Sequence, residues 1–374
     1  MKFWYRLVAR AAAIKYRYFF KPLFFLQDPE TIHDRMVRFG SLLGKSALAR
    51  ALLRGLFGYG HPSLKQTVAG IEFKNPVGLA AGFDKDAYLT RILPSVGFGF
   101  EEIGSITGEP CAGNPKPWLW RLPKSQSLVV YYGLKNQGAE AIAGRLYGQK
   151  FAFPLGVSLA KTNSADTVEE EKGIADYAKV YKTFLEKNIG DYFTVNISCP
   201  NAFGGEPFVE PEKLDRLLAA LKALNSGKPM FVKLPADIGT ERLEEITSVS
   251  RRHGITGFIC SNLTKNRNNP KIKETDLPDR GGLSGKVVRD LSDGLIRQIY
   301  SRCGKEFVII GCGGVFNAED AYKKIRLGAS LVQLVTGLIY QGPQLVSQIN
   351  QDLVRLLERD GFGNIAEAVG ADFR

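Results

Sequence analysis

Tyr192-Phe-Thr-Val-Asn-Ile-Ser-Cys-Pro-Asn201 begins as an apolar run and ends at a proline, with one thiol set between two carboxamides. Residues 192–197 read as a buried strand, and Pro200, which cannot donate to a sheet ladder, stops it. Asn196 and Asn201 bracket Cys199, so groups suited to holding and deprotonating a polar substrate sit together at one strand end. A strand running into an Asx-rich turn, with Cys199 as buried filler, would use the same residues, because free cysteine is among the most buried residue types. The rest of the chain separates the two.

From residue 70 onward, short apolar runs alternate with longer amphipathic segments. The runs are 76–81, 102–106, 155–159, 193–197, 230–234, 257–260, 307–310 and 331–335. Helix-period stretches such as 213–224, 243–252, 287–300 and 318–327 lie between them, and a last helix is expected over 343–357. The 374 residues, 44% hydrophobic, suffice for one large barrel or two ordinary domains. Eight βα alternations predict the barrel: an α/β fold of the (β/α)8 TIM type over 61–374, behind an N-terminal helical membrane-associating extension over 1–60.

Residues 1–27 hold Lys2, Arg6, Arg10, Lys15, Arg17 and Lys21 and no acid, which is half of the formal net charge of +12. The same arm carries Phe3, Trp4, Tyr5, Tyr16, Tyr18, Phe19, Phe20, Phe24 and Phe25. Cations mixed with amphipathic rings suit an anionic lipid surface better than a solvated tail, an organelle-targeting arm or a nucleic-acid contact. No apolar run is long enough to span a bilayer, and Arg10 and Lys15 interrupt any secretory signal. Asp28-Pro29-Glu30 predicts a helix start, with Asp28 as cap and Pro29 at the first helical position. A second helix is expected over 47–57, each about 10 to 15 residues long, with a turn near Gly44 between them. The five scattered cysteines and three histidines lack metal-ligand spacing, so a reducing compartment is expected, without metal or disulfide framework.

In a barrel of this kind the chemistry lies where the strands end. Those ends carry Ala81-Gly82-Phe83-Asp84-Lys85, Ser105-Ile106-Thr107, Lys161, the Asn196 to Asn201 cluster, Lys233, Ser261-Asn262, Gly311-Cys312-Gly313-Gly314 and Thr336-Gly337. The glycines at 311, 313 and 314 with Thr336-Gly337 fit a phosphate cradle of bare N–H groups, with Asn317 capping the next helix. A phosphate-bearing flavin, FMN, suits such a cradle. Lys233 follows an apolar run and is placed to balance the negative charge of a reduced flavin. Lys85, between Asp84 and Asp86, is either a mouth residue or one half of a surface ion pair.

These residues carry a family likeness. Asn75-Pro-Val-Gly-Leu-Ala-Ala-Gly-Phe-Asp-Lys85, Gly104-Ser-Ile-Thr107, Gly113-Asn-Pro-Lys-Pro-Trp-Leu-Trp-Arg-Leu122, Asn196-Ile-Ser-Cys-Pro-Asn201, Gly281-Gly-Leu-Ser-Gly285 and Gly311-Cys-Gly-Gly314 resemble the dihydroorotate dehydrogenases. Asp28-Pro-Glu-Thr-Ile-His33 and residues 116–122 resemble the membrane-associated, quinone-linked class in particular. The resemblance implies Cys199 as the base that takes a proton from C5 of dihydroorotate, while hydride leaves C6 for the flavin and quinone reoxidises it. It implies orotate ligands at Lys85, Asn196, Asn201 and Asn262. FMN contacts are implied at Ala81, Gly82, Lys85, Ser105, Ser158 and Asn196, and again at Lys233, Ser261, Gly285, Gly313, Gly314, Val335 and Thr336. His33 and Arg121 match the quinone path. The implied setting is the cytoplasmic face of a bacterial cell membrane, with peripheral attachment to anionic lipid, no metal and no nucleic acid.

The chain also departs from the pattern. The quinone class normally uses serine where Cys199 stands, and a thiol, whose reference pKa is about 8.5, ionises far more readily when cations are near. Val130 and Leu263 replace a substrate asparagine and a hydroxyl residue, Ser158 replaces an asparagine near the flavin, and Val335 replaces a tyrosine on the quinone path. Each lost partner costs about 1 to 3 kcal/mol when the ligand group stays unsatisfied. Tyr131 or Tyr132 is left to supply the donor missing at Val130. Two other readings therefore stay open: a related FMN oxidoreductase acting on another reduced heterocycle or acid, and a membrane-bound flavoprotein without turnover.

Overall fold

The computed structural model describes residues 2–224 and 226–374; the side chains of Lys2 and Phe3, counted above in the basic aromatic arm, lie outside the described set. A hairpin of β1 (Gln66–Val68) and β2 (Ile71–Phe73) turns at Ala69-Gly70, where φ is 51° and 79°, a double left-handed turn that glycine makes cheaper. The barrel strands β3 (Val77–Leu79) and β4 (Phe100–Ile106) follow, then β5 (Leu119–Leu122) and β6 (Ser127–Val130), which lie outside it. Next come β7 (Leu155–Leu159), β8 (Tyr192–Asn196), β9 (Met230–Lys233), β10 (Gly257–Cys260), the outlying β11 (Gly282–Gly285), β12 (Val308–Cys312) and β13 (Leu331–Leu334). The eight barrel strands pair in parallel around a closed ring in the order β3-β4-β7-β8-β9-β10-β12-β13. This is the expected TIM barrel, and its strands match the eight apolar runs to within two residues at each end.

Small residues opposite large ones fill the barrel floor. A Cβ on Gly78 would meet the Phe100 ring at 2.4 Å, and one on Gly156 the Tyr192 ring at 2.2 Å, so both rings lie inward over bare backbone. With Phe73, Phe231, Ile259, Ile310 and Leu331 they form an apolar plug. One layer higher the interior turns polar. Glu102 is fully buried and accepts from the Thr194 hydroxyl at 3.0 Å and from the Gln333 amide at 3.1 Å. The site above is thus closed from below by apolar packing, and polar groups begin only where the strands approach their C-terminal ends.

The N-terminal extension differs from expectation in three respects. Residues read as an arm form α1 (Lys2–Lys15), a π-helical turn over Tyr16–Phe20 and α2 (Lys21–Phe25). The helix is set by its underside: Ala9 is buried, Tyr5 packs edge-on against Tyr59 at 5.8 Å, and Tyr16 bonds Ile339 O at 2.6 Å. Next, α3 (Pro29–Lys45) is longer than expected, at 17 residues, though Asp28 caps it as predicted by accepting from Thr31 N at 2.8 Å. Finally, the turn falls at Ser46 instead of Gly44. Gly44 stays helical because it packs on Arg91 and Ile92, and Ser46 caps α4 (Ala47–Phe57).

Around the barrel run α5 (Ala139–Leu146), α6 (Glu170–Glu186), α7 (Pro211–Lys222), α8 (Thr240–Arg252), α9 (Arg289–Cys303), α10 (Ala318–Arg326), α11 (Thr336–Gln341) and α12 (Leu345–Asp360). Strands β5, β6 and β11 form an antiparallel sheet in which Ser127 pairs with both Leu122 and Gly285. This sheet, not anticipated from sequence, roofs the barrel mouth: Leu119, Leu128, Val130, Ser284 and Gly285 all line the cavity beneath it.

Candidate active site

Cys199 follows β8 and lines a small cavity with Lys85, Ser105, Asn196, Asn201, Lys233 and Asn262. A larger cavity shares Ala81, Gly82, Lys85, Val130, Tyr132, Lys233, Asn262 and Leu263 with it, and adds Ser261, Gly285, Cys312, Gly313, Gly314, Val335 and Thr336. The strand ends therefore converge, although they are spread from residue 81 to residue 336.

Asn196 is fixed by its neighbours. Its Nδ2 donates to Ser105 Oγ at 2.8 Å, its Oδ1 accepts from Ser198 N at 3.2 Å, and its carbonyl accepts from the Tyr177 hydroxyl at 2.7 Å. Asn262 Nδ2 reaches Ser198 O at 2.7 Å, which joins the ends of β8 and β10. Ser158 does not line either cavity; it is fully buried behind Ser105 and shares a 2.7 Å bond with it. Ser261 is buried, with its hydroxyl on Asn262 O at 3.1 Å.

The departures from the family pattern have visible local consequences. Asn201 Nδ2 donates to the Val130 carbonyl at 2.8 Å, so the backbone at 130 holds the asparagine although its side chain offers nothing polar. Of the two tyrosines beside it, Tyr132 lines the cavity, while the Tyr131 ring lies 5.5 Å from the Arg280 guanidinium and lines neither. Leu263 packs its Cβ against Gly282, adding an apolar wall.

Lys85 is not a surface ion pair. Asp84 accepts from Tyr88 N at 2.8 Å and Leu89 N at 2.6 Å, which folds the segment and sends Lys85 inward. There Nζ sits 3.8 Å from the Tyr132 ring centroid and 3.3 Å from His33 Nε2. Burial pulls its pKa down to about 8, against the opposing effect of Asp86 and Asp34. Burial, then the Lys85 and Lys135 charges, hold His33 well below the usual histidine range, so its ring is neutral at pH 7.

Burial pushes the Cys199 thiol up to about 11. The Asn201 N–H and the Lys233 and Lys161 charges act the other way, and Glu206 adds to the rise. The expected easing by cations is therefore present but outweighed by desolvation.

Gly313 and Gly314 have φ of 121° and 72°, and their N–H groups meet no acceptor among the described residues. Arg289 clasps this turn by donating Nε to Gly314 O at 2.9 Å and Nη2 to Asp320 at 2.9 Å. Across the cavity Ser284 and Thr336 share a 2.9 Å hydroxyl bond. Free amides beside hydroxyls are the donor set that a phosphate monoester requires, and Asn317 caps α10 as expected, accepting from Asp320 N at 2.8 Å.

A third cavity, mostly apolar, opens between the N-terminal helices and the barrel. Tyr16, Phe20, Phe24, Phe25, Ile32, Met36 and Leu338 line it together with His33 and Arg121. Its inner wall of His33, Phe83, Leu119, Leu128 and Ile339 also belongs to the central cavity, so the two meet. Arg121 lies 4.6 Å over the Phe25 ring and donates to Gln27 O at 2.7 Å. Sequence reading named Tyr16 only as an arm aromatic and Tyr132 only as a donor candidate beside Val130, and it missed the loop-holding pair Asn114 and Asn163; the Gly113-Asn-Pro turn was the available signal for Asn114.

The dihydroorotate dehydrogenase family model matches residues 63–357. A dihydroorotate dehydrogenase (quinone) of Gloeobacter violaceus is 38% identical over 355 residues, covering 94% of this chain and 98% of that protein. One from Nostoc sp. is 38% identical over 379 residues, covering 96% and 99%. Among solved structures, ligand-free DHODH from Eimeria tenella superposes with a TM-score of 0.82 at 29% identity, over 93% of this chain and all of that one.

Proposed function

The chain belongs to the dihydroorotate dehydrogenase family, as a quinone-linked flavoenzyme that oxidises dihydroorotate to orotate in pyrimidine biosynthesis, and on that premise we propose that its flavin is FMN and its base Cys199. One observation carries the reading: the half-buried Cys199 shares a cavity with Lys85, Asn196, Asn201 and Asn262, and that cavity adjoins the free amides of Gly313 and Gly314.

Bound there, FMN would supply the hydride acceptor and the redox link to quinone. Gly313, Gly314 and Thr336, with Gly285 beside them, would hold the phosphate, and the Ala81-Gly82 backbone, Ser105, Ser261 and Val335 would line the place of the ring. Ser158 acts through Ser105. Lys233, buried at the end of β9, places positive charge where flavin reduction adds negative charge. Asn196, Asn201, Asn262 and Lys85 orient the substrate by its carboxylate and ring amides. Cys199 takes the C5 proton. His33 and Arg121 line the apolar path by which quinone approaches.

We further assign residues 1–60 to membrane and quinone contact and 61–374 to the flavin barrel. The exposed apolar side chains Trp4, Leu7, Ile14, Phe19, Leu23 and Leu52 lie on the N-terminal helices among Arg6, Lys15 and Arg17. That mixture supports peripheral seating on anionic lipid at the cytoplasmic face of a bacterial membrane. No helix among the described residues is long and apolar enough to cross a membrane. Growth of a pyrimidine auxotroph without uracil, with FMN released on acid denaturation of the purified protein, is the expected result. Failure to grow, or release of a different flavin, would count against the assignment.

A further inference from the structure

The chemistry above leaves one buried cation without a task. Lys161 comes two residues after β7 and is 3% exposed, yet no carboxylate bonds to it among the described residues. Asp176, whose charge reaches it, has its oxygens engaged by the Gly108 and Thr162 N–H groups and the Thr162 hydroxyl. A buried ammonium without an ion-pair partner is costly, and such groups collect at functional sites.

Its contacts lead to the base. Lys161 Nζ donates to Phe203 O at 3.0 Å and to Thr167 Oγ1 at 3.5 Å. Phe203 stands four residues beyond Cys199 in the same loop, and its N–H donates to Asn163 Oδ1. The loop after β7 therefore grips both polar groups of one residue in the loop that bears the thiol. Asn114 adds a third hold, from Nδ2 to Asn201 O at 3.0 Å. Lys161 does not line the cavity, so it touches no ligand there, while its charge and the Cys199 sulfur act on one another.

We propose that Lys161 is the positioning residue of the Cys199 base: it pins the thiol-bearing loop through Phe203 and provides the counter-charge of the thiolate from behind the cavity. This rests on reading Cys199 as the base. Other groups face the sulfur too. Lys233 lies at the end of β9, Lys85 and Lys135 across the cavity, Glu206 in the same loop and Tyr177 on α6. Lys233, Lys85 and Lys135 also meet the ligand cavity, whereas Lys161 can be altered without touching it.

The test follows alkylation of Cys199 by iodoacetamide, read by peptide mass across pH, in the flavin-loaded parent and in Lys161→Met, Lys161→Gln and Lys161→Arg. Only the thiolate reacts, so the profile reports ionisation without turnover. Removing the charge in the Met and Gln variants is expected to lower the rate at pH 8 by about tenfold, a displacement of the profile by about one pH unit. Arginine keeps the charge and should stay within about threefold of the parent. Glutamine keeps a donor for Phe203 O, so a fall shared with methionine reports charge, and unchanged flavin absorbance in the Gln variant shows that the barrel is intact. Profiles coinciding with the parent's, or rates raised at every pH with an unmoved midpoint, overturn the proposal. Failure of the base reading looks different: Cys199→Ala would then keep the full rate of flavin bleaching by dihydroorotate, whatever Lys161 does to alkylation.

Discussion

Ionisation of Cys199 should govern the first half of the reaction. Burial holds the thiol at about 11, so the thiolate is scarce at neutral pH and grows tenfold with each pH unit below that value. The protonated thiol cannot accept the C5 proton; hence the rate of flavin reduction should climb with pH, by about a hundredfold between pH 7 and pH 9, if substrate binding leaves the value unmoved. A bound ligand also expels water and brings its carboxylate near Lys85 and the thiol, and neither change favours a second negative charge. Stopped-flow absorbance under anaerobic conditions, with saturating dihydroorotate from pH 6 to pH 10, reads this directly. Cys199→Ala should lose the limb and about 10² to 10⁴ in rate, the usual contribution of a positioned base. A flat profile, or the same limb in the alanine variant, would refute the reasoning.

Three further outcomes follow from the geometry. Gly314→Ala should lose flavin and destabilise the fold by about 1 to 3 kcal/mol, because φ is 72° and the added Cβ would meet Arg289 Cβ at 2.5 Å; absorbance of the purified variant and its thermal midpoint check this. Arg121→Ala should slow reoxidation by a quinone analogue about tenfold while leaving bleaching by dihydroorotate unchanged, since Arg121 lines only the apolar cavity; equal losses in both half-reactions would contradict that division. Replacing Phe19 and Leu23 together by Asp should abolish sedimentation with anionic vesicles while leaving flavin content unchanged, because both side chains are exposed on the N-terminal helices; retained sedimentation would remove the lipid assignment.

Much of the barrel was legible because each strand is a short apolar run flanked by amphipathic helix, and the chemistry of its end is local to it. Asn196, Cys199 and Asn201 illustrate this, as one decapeptide holds both the strand and its site. The roof was not legible. Ser127 pairs with Gly285 across more than 150 residues, and neither four-residue strand carries a periodic signal strong enough to reveal its partner. The environment of Lys85 was hidden for the same reason. Its neighbours His33 and Tyr132 come from α3 and from the segment after β6, so flanking acids suggested a surface pair that folding does not form. The N-terminal helix escaped because its cations and aromatics describe the exposed face, whereas the contacts that order it, Tyr5 on Tyr59 and Tyr16 on Ile339, are long-range.

The function turns on whether one cavity oxidises dihydroorotate while a second, reached past His33, delivers the electrons to quinone. Anaerobic addition of dihydroorotate to the purified protein, followed by a short-chain quinone, tests it most directly. The flavin should bleach with the first addition and recover its colour with the second. Flavin that stays oxidised with dihydroorotate yet bleaches with another reduced heterocycle would contradict it, and would make the apolar walls at Val130 and Leu263 the mark of a different substrate.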